Sequence, residues 1–208
     1  ELDRKGFLKR VHGGAILISK TTSTNEDPLT KRQQLHLEEK RKIAKYSAKL
    51  IEAGDVVYID AGSSTLELIE YLDQKEAHYI TNGLVQAQQL TLKGFHVVSL
   101  GGEVRNITGA CVGSTTLLAL QRYHFTKGFF GTNGIDVNAG FTTPDSEEAM
   151  IKQKAMERSR ISYVLADHSK FNCVYPVTFG KIEDAMILTD YCENELKEIA
   201  TIVEVKEL

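Results

Sequence analysis

Five short runs of this sequence mix glycine, small hydroxyls, amides, carboxylates and cations. They are Asp60-Ala-Gly-Ser-Ser-Thr65, Thr81-Asn-Gly83, Leu100-Gly-Gly-Glu-Val-Arg105, Gly131-Thr-Asn-Gly-Ile-Asp136 and Asp167-His-Ser-Lys170. Each offers a definable chemistry. Gly62, Ser63, Ser64 and Thr65 open a helical pattern, and backbone N–H groups at a helix N-terminus with hydroxyls beside them suit a phosphate. The alternative is that Ser63 or Ser64 only caps the helix. Gly101 and Gly102 with Arg105 could form a second cradle with a charge, or a tight turn with a solvated arginine. Asn82 and Asn133 could bond sugar hydroxyls, or take left-handed turn positions beside Gly83 and Gly134. Asp60, Asp136 and Asp167 could accept hydrogen bonds from hydroxyls, and Lys170 could neutralise a phosphate as a point charge. Taken together the set points to a phosphorylated sugar or polyol.

Catalytic and metal chemistry are not expected. Ser63 lacks the GxSxG elbow, and no cysteine has an activating neighbourhood. The three cysteines (Cys111, Cys173, Cys192) and six histidines show no CxxC, HxxxH or HExxH spacing, so neither a metal site nor a cofactor is expected. His168 falls within one of the five runs, whereas His78 and His96 sit in strand patterns and read as core or edge residues.

These runs need elements to hold them. Apolar periodicity predicts helices over 38–52, 64–72, 84–92, 114–123, 146–159 and 194–200. Short β-branched or aromatic runs predict strands over 56–59, 78–81, 95–100, 127–131, 161–166, 185–189 and 201–205. Alternating strands and helices imply an α/β fold, a mostly parallel sheet with helices on both faces. In such a sheet ligands bind at the carboxyl ends of the strands, and each of the five runs follows a predicted strand.

Composition bounds the rest. The chain has 208 residues, 42% hydrophobic and 25% charged, with a net charge of −3, which fits one large globular domain with at most a short appendage. Residues 1–42 hold ten Lys/Arg against six Asp/Glu, whereas the remainder holds fifteen against twenty-two. With Gly13-Gly14, a Ser/Thr-rich stretch and Pro28, the basic start reads as a mobile linker. No run approaches the roughly 20 apolar residues of a membrane helix, and no signal peptide is visible. A cytoplasmic location is expected, and few, scattered cysteines suit a reducing compartment. The chain opens at Glu1 rather than Met, as a fragment would.

The ordered set of motifs resembles the DeoR family of bacterial transcription regulators. Arg10-Val-His-Gly-Gly-Ala15 is similar to the junction after that family's DNA-binding domain. Glu39-Lys40 with Ile43-Ala44, Gly54-Asp55, the five runs above, Val112-Gly113 and Ala166-Asp-His-Ser-Lys-Phe171 follow the order of its sensor domain. The resemblance implies a ribose-5-phosphate isomerase-like fold, a phosphorylated sugar effector, and a repressor that forms a homo-oligomer, dimer or tetramer. It also implies operator DNA as a partner, bound through an N-terminal winged helix-turn-helix of which only a tail precedes Arg10. On this reading 1–30 is tail and linker and 31–208 the sensor domain. Phosphopentose isomerases of this fold carry a paired-acid DGADE segment. Its counterpart here, Gly131 to Asp136, has no second acid, which favours a sensor over an isomerase-like enzyme. A long, glycine-bounded loop from Gly102 to Gly113, carrying Arg105, could close over ligand.

Overall fold

A computed structural model describes residues 8–11, 14–17, 27–192, 197 and 199–205. Strands β1 (Leu8–Val11) and β2 (Gly14–Leu17) pair as an antiparallel hairpin. Helix α1 (Leu29–Gln34) follows, and α2 (Leu37–Ala48) begins after His36. The basic start is therefore not linker throughout. Gly14, read as linker, opens β2, and residues 29–34 and 37–42 are helical because Leu29, Ile43 and Ala44 are buried against the body of the protein. The expected helix over 194–200 falls largely outside the described residues.

The body alternates strands and helices: β3 (Val56–Ile59), α3 (Ser63–Glu70), β4 (His78–Thr81), α4 (Leu84–Leu92) and β5 (Val97–Ser99). A small hairpin of β6 (Glu103–Val104) and β7 (Cys111–Val112) leads into α5 (Gly113–Leu120) and β8 (Phe125–Gly131). Then come β9 (Gly134–Asp136), β10 (Gly140–Thr143), α6 (Ser146–Glu157), β11 (Ser159–Leu165), β12 (Val177–Gly180), β13 (Met186–Thr189) and β14 (Ile202–Glu204). Seven strands form one parallel sheet in the order β14-β13-β11-β8-β3-β4-β5. Strands β12, β10 and β9 form a separate antiparallel sheet that the sequence patterns did not anticipate. These strands are rich in Gly and Thr, and their pairing is fixed by neighbours rather than by apolar alternation.

The β period of two decides which helices cover which face. Tyr58 and Phe130 point into one apolar cluster, with Leu120 of α5 and Ile151 and Ala155 of α6. Val57, Ile59 and Phe129 point into the other, with Ile43 and Ala44 of α2, Leu68 and Ile69 of α3 and Leu90 of α4. A parallel sheet buried on both faces has this continuous apolar character along each strand. From β3 the chain winds outward through β4 and β5, then returns to β8 on the other side of β3 and winds away. The carboxyl ends of β3 and β8 therefore flank a topological switch point, where an open α/β sheet leaves a crevice.

Candidate functional site

The crevice is built from both sides of that switch point. Chain leaving β3 turns through Asp60, Ala61 and Gly62 into α3. Gly62 is the N-cap residue, in extended conformation, and no side chain among the described residues caps the helix. The first-turn N–H groups of a helix lack intrahelical acceptors, and the helix dipole adds positive potential there. Ser63 and Ser64, with Gly131, Thr132 and Asn133 at the end of β8, line a small cavity on this terminus. Three cations from three separate elements share its wall: Arg32 of α1, Lys152 of α6 and Lys170 of the 3-10 turn after β11. Glu148 is the carboxylate among the lining residues.

Two acids hold this wall in place. Buried Asp60 pairs with Lys152 and accepts a 3.0 Å bond from the Gly131 amide, while Lys152 also donates to the Gly131 carbonyl at 3.1 Å. Glu148 accepts from Thr108 at 2.6 Å and lies 3.3 Å from Arg105, which also pairs with Asp145. Behind the cations lies Lys40, whose ammonium donates to the carbonyls of Arg32 and Leu35 at the end of α1. Burial, with Lys170 and Arg32 nearby, lowers its pKa to about 8, although Asp167 and Glu67 oppose the shift. So much positive charge around one helix N-terminus favours an anion.

The sequence candidates divide into two groups. Gly62, Ser63, Ser64, Asn133 and Lys170 do line the cavity. The others serve the scaffold. Asp60 binds Lys152 rather than standing open to a hydroxyl. Thr65 is fully buried and donates to the carbonyls of Asp60 and Gly62 at 2.5 and 3.0 Å. Asn82 accepts from Tyr58 Oη (2.9 Å) and the Ala61 amide (3.2 Å) and donates to the Cys111 carbonyl (3.2 Å), so it ties three strand ends together. Gly101 and Gly102 form a left-handed turn locked by Thr116, which donates to the Gly101 carbonyl at 2.6 Å.

Arg105 is half-buried and paired. Its pairing with Asp145 and Glu148, the Thr108 bond and the Leu29 amide donating to the Ile107 carbonyl (3.1 Å) anchor the Gly102–Gly113 loop. Asp136 closes the β9–β10 turn by accepting from the Asn138 and Ala139 amides at 2.9 and 3.0 Å. Asp167 is buried beneath the Lys170 turn. Its Oδ1 accepts from the Ser169 amide at 3.1 Å, and its Oδ2 has no hydrogen-bond partner among the described residues.

Arg32, Glu148 and Lys152 were missed by sequence reasoning. Lys152 carried a signal, since it follows Ile151 on the core-facing side of α6 and a lysine there demands a buried partner. Arg32 carried none, because it falls between the linker, 1–30, and the first predicted helix, 38–52, where no apolar periodicity marks an element.

Residues 35–191 match the family model described as the DeoR C terminal sensor domain. The chain is 43% identical over 194 residues to the uncharacterised HTH-type transcriptional regulator FruR of Bacillus subtilis, covering 93% of this chain and 76% of that protein. It is 33% identical over 204 residues to the lactose phosphotransferase system repressor of Streptococcus mutans, covering 95% and 79%. Among solved structures it is similar to a D-ribose-5-phosphate isomerase in complex with phospho-erythronic acid, at 17% identity and a TM-score of 0.50 over 65% of this chain and 54% of that one. It is also similar to eIF2B delta of Chaetomium thermophilum, at 16% identity and a TM-score of 0.50 over 66% and 50%. Both structural likenesses are likenesses of fold, and each spans about half of the other chain.

Proposed function

Because the chain belongs to the DeoR family of transcriptional regulators, we propose that residues 31–208 form an effector-binding sensor domain that takes a phosphorylated sugar, its phosphate seated on the first turn of α3. One observation carries this reading: Arg32, Lys152 and Lys170 converge from three elements on a helix N-terminus that no side chain among the described residues caps. Ser63 and Ser64 supply hydroxyls beside the amides, and Asn133 faces the sugar.

The effector acts by preferring one arrangement of the regulator over another. A hundredfold preference is worth about 2.7 kcal/mol, ample for a switch in operator binding by an N-terminal winged helix-turn-helix. Assembly as a dimer or tetramer is part of the same proposal and rests on the family resemblance. No helix among the described residues is long and apolar enough to cross a membrane, and a regulator of this kind works in the cytoplasm on DNA.

An isomerase-like enzyme fits less well. Enediol isomerisation requires a poised base and acid at adjacent carbons. Glu148, the lining carboxylate, is held by Thr108 and Arg105, and Asp136 is occupied by a turn.

The test is thermal denaturation of this chain against a panel of sugar phosphates, with the free sugars and inorganic phosphate as controls. Ligand at a hundred times its Kd adds about 2.7 kcal/mol, so a selective shift identifies the effector. A flat panel rejects the reading. Aldose–ketose turnover by the same protein would overturn the sensor assignment in favour of the enzyme.

A further inference from the structure

The structure assembles a second group of ligating side chains that the sequence spacing did not disclose. His36 joins α1 to α2, Glu39 lies in the first turn of α2, and His168 begins the 3-10 turn after β11. One ligand atom from each lies within 4.8 Å of the others, although 132 positions separate His36 from His168. We propose that His36, Glu39 and His168 bind a zinc-class divalent cation.

Three observations carry this inference beyond proximity. First, Asp190 clamps His168 at two points: one carboxylate oxygen accepts from the backbone amide at 2.8 Å and the other contacts Nδ1 at 2.7 Å. A carboxylate on Nδ1–H fixes the tautomer and leaves the Nε2 lone pair for a metal, the usual outer-shell arrangement of a ligating histidine. Second, His36 adopts a left-handed backbone conformation, φ 51°, which costs a non-glycine residue energy and sits where structure elsewhere requires it. Third, the two imidazoles meet edge to face with centroids 5.1 Å apart, so no other side chain separates them.

The donor set selects the ion. Two imidazoles and a carboxylate suit zinc and its transition-metal neighbours at roughly 2.0–2.2 Å, whereas calcium and magnesium take all-oxygen shells. His168 is exposed and His36 and Glu39 half-buried, so a fourth position remains open to water. Such an ion would pin the α1–α2 junction, flanked by Arg32 and Lys40, to the turn that carries Lys170. The assignment does not depend on a sugar phosphate as effector.

The test is titration of the chelator-stripped 208-residue protein with Zn²⁺ by calorimetry, with Mg²⁺ as control. The expected result is saturable binding of one ion per chain and a raised melting midpoint with Zn²⁺ and not with Mg²⁺. His36→Ala/His168→Ala should lose at least tenfold in affinity, and Asp190→Asn about 10- to 100-fold. His78→Ala/His96→Ala, which removes the other close histidine pair, should bind like the parent. Circular dichroism of each variant in chelator establishes that it is folded. If the double histidine variant does not fold, Glu39→Gln is read instead by the visible spectrum of bound Co²⁺, which should change. Absence of saturable Zn²⁺ binding, undiminished binding by His36→Ala/His168→Ala, or an unchanged Co²⁺ spectrum in Glu39→Gln would overturn the assignment.

Discussion

Asp60 at the end of β3 and Lys152 on α6 form a buried ion pair across the switch point, with 2% and 5% of their side chains exposed. The pair joins the two halves of the crevice, because both residues also bond Gly131. Removing one partner of a buried pair leaves the other charge without compensation, at about 3–5 kcal/mol. Lys152→Met and Asp60→Asn should each cost that much in urea unfolding. Asp60→Asn/Lys152→Met should cost less than the two together, since neither charge is then stranded. Additive losses would show that the pair does not act as a unit.

Lys170 and Asn82 separate binding from scaffolding. Lys170 lines the cavity and Asn82 holds three buried hydrogen bonds. Lys170→Ala should weaken sugar-phosphate binding about tenfold or more, with ligand-free stability changed by no more than about 0.5 kcal/mol. Asn82→Ala should destabilise by about 2–3 kcal/mol. Calorimetric titration and denaturant unfolding on both variants check the contrast, and reversal of the two effects would refute it.

Gly102 has φ +121°, and a Cβ there would stand 2.0 Å from Thr116 Oγ1 and 2.8 Å from the Val112 carbonyl oxygen. Thr116 cannot yield without releasing its bond to Gly101. Gly102→Ala should therefore cost more than about 2 kcal/mol, from a disfavoured dihedral and overpacking combined. Gly54→Ala meets no atom within 4 Å, so only its dihedral, φ +81°, is penalised, and its smaller loss calibrates the first.

Stability should also depend on pH through Asp55 and Lys127, which are 2.8 Å apart. Burial alone would push the Asp55 carboxyl up, but hydrogen bonds from Lys127, Thr126 and the Glu52 amide hold it below its ordinary 3.8. Its contribution is present above 3.8 and lost as pH falls through the lower folded value. For Lys127 burial acts downward, yet bonds to Asp55 and Glu52 raise it above 10.5, so its share is present below 10.5 and lost as pH rises through the higher folded value. Asp55→Asn should flatten the acid limb of a stability–pH curve and lower the neutral plateau by about 3 kcal/mol. An unchanged acid limb would exclude Asp55 as its source.

The residues themselves determined the parallel α/β sheet, since its strands are short apolar runs that neighbours cannot easily redirect. Val56–Ile59 and His78–Thr81 begin and end where the run of residue types does. The same holds for Gly62, Ser63 and Ser64, because a helix beginning after a strand puts its amides at the sheet's carboxyl edge whatever else surrounds it. Only tertiary structure decided what each polar side chain does there. Asn82, Asp136 and Arg105 have the right chemistry for a ligand, yet satisfy a strand junction, a turn and α6, since a polar group must be satisfied by whatever the fold places beside it. Conversely, Arg32 and Lys152 reach the crevice, and His36 meets His168, through packing between segments far apart in sequence, which local pattern does not encode.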